Sequence, residues 1–239
     1  MDGISEASRL SESINGWLTG NEGELLYELA KGCTGRGVIV EIGSWKGKST
    51  VWLAVGSKAG KKIGVYAIDP HTGSSEHKDI LGKSSTFKEF KENVKRAKVD
   101  DVVTPIVKKS EDAAADFNKP VELLFIDGDH SYDSVLADFT AWFPKLIDGG
   151  IIAFHDTIGW EGPMRVVEEK IYKSRYFRNV GFIDSITYGE KVHKNSAKDR
   201  MRSNYVLFLR HAYIFAAGLR LPGPVKAPFK MMARFAFKR

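Results

Sequence analysis

Acidic and imidazole side chains stand directly after short apolar runs at three places in this sequence. Asp69 follows residues 63–68, Asp127 follows residues 123–126, and the pair His155-Asp156 follows residues 150–154. Carboxylates accept hydrogen bonds from ligand hydroxyl and ammonium groups, and an imidazole exchanges protons near neutral pH. Apolar runs of this length read as buried strands, and open α/β sheets bind ligands beyond the carboxyl ends of their strands. The spacing therefore predicts one crevice shared by all three positions.

The elements that must position these groups are legible as alternating patterns. Residues 38–42, 63–68, 102–107, 123–126 and 150–154 read as strands, residues 205–209 as a late strand, and residues 180–187 as a weaker one. Helical stripes lie between them: Leu25, Leu26, Leu29 and Ala30; Val51, Leu53 and Ala54; Phe87, Phe90, Val94 and Ala97; Val135, Phe139, Trp142, Phe143 and Leu146. Alternation of this kind predicts an α/β fold with a mostly parallel sheet. We expect a helical segment over 1–35, a single α/β domain over 36–210 and a C-terminal extension over 211–239. The 239 residues are 43% hydrophobic and 28% charged, enough for a sizeable core. A lone Cys33, no basic-apolar leader and no long apolar run argue against secreted and membrane-spanning classes and for a cytoplasmic enzyme or binding domain. The net charge of +6 is unevenly spread: residues 200–239 carry nine basic and no acidic residues, leaving 27 basic against 30 acidic before them. A nucleic-acid binder of uniform basic surface would not divide this way.

The loop after the first strand, Gly43-Ser44-Trp45-Lys46-Gly47-Lys48-Ser49-Thr50, admits several readings. A dinucleotide loop needs G-x-G-x-x-G, and Ser44-Trp45 supplies no second glycine. A phosphate-binding loop needs four residues between its glycines, and only Ser44, Trp45 and Lys46 intervene. That reading stays open because residues 123–127 look like the apolar strand and acid that would hold Mg²⁺ in such an enzyme. Glycines that merely turn the chain from strand to helix remain a further option. A last reading explains more residues. Glu41-x-Gly43-x-x-x-Gly47 resembles the cofactor loop of class I S-adenosylmethionine-dependent methyltransferases, with Asp69 at the end of the second strand. The loop through Thr50 looks like the metal-dependent catechol O-methyltransferase branch. It is closer to bacterial and archaeal relatives linked to sugars, antibiotics or glycans. Shared with these are Ile126-Asp127-Gly128-Asp129-His130-Ser131-Tyr132, Asp138, Trp142, residues 149–156, Gly16-Trp17-Leu18-Thr19 and Glu22-Gly23.

That resemblance implies a doubly wound, mostly parallel seven-stranded sheet and transfer of methyl from S-adenosylmethionine to a hydroxyl. Glu41, Gly43, Ser44, Gly47 and Ser49 would line the methionine end, with Glu41 receiving the ammonium. Asp69 would hold the ribose and Ser110-Glu111 the adenine edge. Asp127, at the cofactor's reacting end, would be the first ligand of a divalent metal, Mg²⁺ or Mn²⁺, joined by Asp156 and His155. These two stand where the catechol enzymes carry an Asp-Asn pair. His130 stands where those enzymes carry a general-base lysine, and the other assignment for it is a helix-start cap. The implied acceptor is a small molecule or a sugar, glycan, glycolipid or secondary metabolite; a non-catalytic cofactor-binding domain is the remaining alternative. His71 and His77 are weaker candidates for a substrate lid, and Trp160 for a pocket wall. In the extension, Lys226, Lys230, Arg234 and Lys238 recur every four residues among Phe229, Met231, Met232, Phe235 and Phe237. This pattern fits a helix lying peripherally on an anionic membrane, a homo-oligomerisation arm or a helix packed back on the domain.

Overall fold

The computed structural model describes residues 2–72 and 85–218. β-Branched and aromatic runs form β1 (Val38–Ile42), β2 (Val65–Ile68), β3 (Val103–Ile106), β4 (Val121–Ile126) and β5 (Leu146–Phe154), followed by the hairpin β6 (Phe177–Ile183) and β7 (Ile186–Lys191). They make one sheet in the order β3-β2-β1-β4-β5-β7-β6. The first five strands pair in parallel, and β7 runs antiparallel to both β5 and β6. Strand order reverses between β1 and β4, which opens a crevice at their carboxyl ends. Every residue of β4 is buried, as a central strand covered on both faces requires.

Helices α1 (Gly3–Glu12), α2 (Gly20–Lys31), α3 (Lys48–Ala59) and α4 (Phe87–Arg96) cover one face of the sheet. Their core includes Leu25, Leu26, Trp52, Leu53 and Phe90. Helices α5 (Ser110–Asp116), α6 (Tyr132–Trp142), α7 (Glu161–Val167) and α8 (Ala197–Gly218) serve the other face, around Trp142, Val167, Ile171 and Phe177. Helix α2 starts in a capping box: Glu22 N–H donates to the Thr19 hydroxyl, and Thr19 N–H donates to Glu22 Oε2 at 2.8 Å.

Several sequence expectations change: Leu146, counted with the helical stripe that starts at Val135, opens β5 instead. Residues 205–209 are not a late strand but the middle of α8. Ser203, Val206 and Arg210 are buried while Met201, Tyr205 and Phe208 are exposed, a helical rather than an alternating period. The segment 180–187 is not one strand but the turn of the β6–β7 hairpin with its flanks. Helix α8 also runs without a break across the boundary expected at residue 210. His77 and the periodic basic residues from Lys226 onward lie outside the described residues.

Candidate functional site

A cavity of about 540 Å³ occupies the carboxyl ends of β1, β2, β4 and β5. Of the residues picked out in the sequence, Gly43, Ser44, Ser49, Asp69, Ser110, Glu111, Asp127, His130, His155 and Asp156 line it together. Glu41, buried within β1, and Gly47, the residue before α3, do not line it. Gly43 has φ +85°, and a Cβ there would collide with the Asp127 carbonyl oxygen. Close approach of β1 to β4 thus depends on a missing side chain. Gly47, φ +88°, turns the chain into α3, and a Cβ there meets the Phe90 ring at 3.2 Å. Gly43→Ala should therefore lower unfolding free energy by ~2 kcal/mol or more, and Gly47→Ala by less, in matched urea titrations.

Glu41 is fully buried. Thr50 donates its hydroxyl to Oε2, whereas Oε1 is buried with no partner. Burial pushes its carboxyl up to about 8, against the lowering effect of the Ser49 and Thr50 hydroxyls. An orphaned, buried acid oxygen suits a cationic donor. At the end of β2, Asp69 accepts from the Trp45 amide at 2.7 Å and the His71 amide at 2.6 Å, which fix its orientation. His71 itself is buried against Phe87, Phe90 and the Thr86 hydroxyl, a packed position that does not line the cavity. Lys48 donates to the Gly16 carbonyl at 3.2 Å. It ties the Gly16-Trp17-Leu18 segment to the cavity wall and leaves the phosphate-loop reading without its lysine. Trp17 stacks on Trp45 at 5.1 Å.

At the far end, Asp127, His130 and Asp156 each place one ligand atom within 4.8 Å of the others. His130 Nε2 lies 3.0 Å from Asp156 Oδ2, and its ring stacks on Trp160 at 4.3 Å. Two carboxylates and an imidazole are a fitting donor set for a divalent ion, and the imidazole favours a transition metal such as Mn²⁺. His155 occupies a different place. Nδ1 is 3.2 Å from Asp127 and 3.1 Å from Asp156, and Nε2 is 3.4 Å from Glu22. Burial opposes its charge, but the three carboxylates hold its pKa well above the ordinary imidazole value. Burial likewise raises Asp127, partly offset by His155. Asp156 is only partly buried, and bonds from His130 and His155 hold it below the usual carboxylate range.

Three contributors had no role assigned from the sequence, where Glu22 and Asp138 stand only as shared motif residues. Glu22 accepts from the Ser185 amide and hydroxyl at 2.9 and 2.6 Å; although burial raises it, His155, Ser185 and Thr19 hold its carboxyl down at about 2. Its signal was the Thr19-x-x-Glu22 capping box. Asp138 lines the cavity beside Ser110, and burial pushes it up to about 6 against a hydrogen bond from Ser110. Its position within the Asp127–Trp142 motif was the available signal.

Arg210, fully buried on α8, is the third. It donates to the Thr157 carbonyl and to Glu168 at 3.2 Å. Thr157 is also held through its amide and hydroxyl by the Ser185 carbonyl, at 2.9 and 2.7 Å. This clamp fixes the residue after Asp156, whose φ is +54°. Arg210→Met should cost up to ~3 kcal/mol by denaturation, since it leaves the Glu168 carboxylate short of its buried partner. His211 at 2.8 Å and partial exposure of Glu168 keep the loss from being larger.

Residues 40–157 match a family model described as a methyltransferase domain. Among curated proteins, uncharacterized protein R132 of Acanthamoeba polyphaga mimivirus is 30% identical over 120 residues, 49% of this chain and 50% of that one. This chain thus matches half the length of that relative. Among solved structures, cofactor-bound Rv0187 from MTB superposes with a TM-score of 0.58 at 20% identity, covering 81% of this chain and 90% of the other. The O-methyltransferase NovP gives 0.59 at 18% identity, over 72% and 79%. The fold is that of the class I methyltransferases. Within it, the match to the methyltransferase-domain model spans residues 40–157, just under half of the chain.

Proposed function

We propose that this protein transfers the methyl group of S-adenosylmethionine to a hydroxyl oxygen. One observation carries the proposal: a single cavity joins the glycine loop and Asp69 to Asp127, His130 and Asp156. The orphaned Glu41 oxygen accepts the cofactor's ammonium, and Gly43, Ser44, Gly47 and Ser49 shape the methionine end. Asp69 takes the ribose hydroxyls, while Ser110, Glu111 and Asp138 face the adenine. The fold neighbour Rv0187 is described as cofactor-bound, and NovP as an O-methyltransferase, which supports cofactor and acceptor class.

Asp127 and Asp156 would hold a divalent ion, which when bound acidifies the acceptor hydroxyl. His155, charged between them, fixes both carboxylates from the buried side. His130, oriented by the Asp156 carboxylate that accepts from its Nε2–H, takes the hydroxyl proton on its other ring nitrogen, Nδ1, as the oxygen attacks the sulfonium methyl in line. Trp17 and Trp160, 66% and 42% exposed, give the acceptor apolar ring faces at the rim, suited to a small molecule or a glycan. A second reading rests on the 4.8 Å grouping: His130 is a third ligand and the proton leaves to solvent.

The test is methyl transfer from labelled cofactor to a panel of hydroxylated acceptors, with chelator and with Mg²⁺ or Mn²⁺ restored. Label on oxygen, dependent on added metal, is the expected result; label only on nitrogen or carbon would overturn the assignment. His130→Ala separates the two readings. As base, its loss leaves metal affinity intact and alters the pH–rate profile; as ligand, its loss weakens metal binding.

A further inference from the structure

The last of the described helices, α8, carries a stripe that the site does not use. Along α8, Met201, Tyr205, Phe208 and Phe215 are 74%, 57%, 66% and 71% exposed. Ser203, Val206 and Arg210 on its other side are buried. Steps of four, three and seven residues put the four exposed side chains on one helix face. Large apolar side chains gathered on a surface mark contact with a partner or with lipid.

Charge around the stripe favours lipid. Lys198, Arg200 and Arg202 stand exposed at its N-terminal end. The one acid of α8, Asp199, accepts from Ser196 at the helix start. From residue 200 onward the sequence has nine basic residues and no acid, six of the nine following α8. Two copies of this helix laid together would align basic flanks short of counter-charge, Asp199 being the one acid of each. An anionic bilayer surface supplies that counter-charge. Among the described residues no helix is long and apolar enough to cross a membrane, and the buried side of α8 faces the domain. Its geometry is that of a helix lying in the interface.

We propose that α8 docks on an anionic membrane surface. Met201, Tyr205, Phe208 and Phe215 enter the boundary between headgroups and acyl chains, and the flanking basic side chains meet lipid phosphates. The proposal is independent of the methyl-transfer reading and has its own readout.

Flotation of the full chain with phosphatidylcholine vesicles, with and without phosphatidylglycerol, tests it. Binding is expected only with the anionic lipid, weakened by salt, and reduced about tenfold or more in the triple variant Met201→Ser, Phe208→Ser, Phe215→Ser. Three results would overturn it: no flotation of the wild type, equal flotation of the triple variant, or light scattering that shows a dimer dissociated by the variant. The last would make the stripe a chain–chain interface. Should the triple variant fold poorly, Phe208→Cys carrying an environment-sensitive dye reports insertion directly. Cys33 does not compete for label, because it is buried and its thiol is pushed up to about 12. A blue shift of the dye on anionic vesicles supports docking; an unchanged spectrum refutes it.

Discussion

Asp156→Asn will retain S-adenosylmethionine but lose methyl transfer by roughly 10²–10⁴-fold, the range for losing acid–base assistance. Asparagine keeps the size of the side chain and tolerates the left-handed backbone at this position, where φ is +54°. The Thr157 clamp stays in place. What disappears is the negative charge that orients His130 at 3.0 Å and faces His155 at 3.1 Å. Because the carboxyl is held below the usual range, the wild-type group is charged at any working pH. Labelled-methyl turnover and calorimetry on the same sample separate lost chemistry from lost binding. Unchanged turnover would remove Asp156 from the reaction.

Glu41→Gln will weaken S-adenosylmethionine by tenfold to a hundredfold, corresponding to about 1.5–3 kcal/mol for a charge-assisted hydrogen bond. It will also change how stability depends on pH. The folded carboxyl titrates at about 8 against an ordinary 4.5, so the folded state binds the extra proton between these values. Stability of the ligand-free protein from this group is therefore greatest below pH ~4.5 and falls by about 1.4 kcal/mol per unit as pH rises toward 8. A bound ammonium favours the ionised acid, so saturating cofactor should flatten the slope. Glutamine does not titrate and should flatten it without cofactor. Thermal unfolding across this pH range, with and without ligand, checks both.

What the sequence made legible follows from which interactions are local. β1, β2, β4 and β5 stood out because each is an apolar run closed by Gly43, Asp69, Asp127 or His155-Asp156, and the acids at their ends had only one crevice to enter. Asp69, Asp127 and Asp156 could be placed together without coordinates for that reason. The site's supports could not, because they depend on contacts between distant segments. Glu22 and His155 are 133 positions apart, and only the packing of α2 beside the sheet brings them to 3.4 Å. Arg210 lies in a segment whose Val206 and Phe208 read as strand, yet its period of burial is helical. Grouping of His130 with the two acids was equally hidden, since two positions in one loop, His130 and Asp127, do not reveal how a ring will turn. Gly43 is the contrary case: the motif called for glycine, and the Asp127 carbonyl shows why.

The most direct measurement is calorimetry of S-adenosylmethionine binding to the wild-type chain and to Asp69→Ala. The cavity predicts one cofactor per chain, with affinity weakened at least about tenfold once the ribose carboxylate is gone. No binding by the wild type at millimolar cofactor, or equal binding by the two proteins, would contradict a cofactor seated between the Gly43 loop and Asp69.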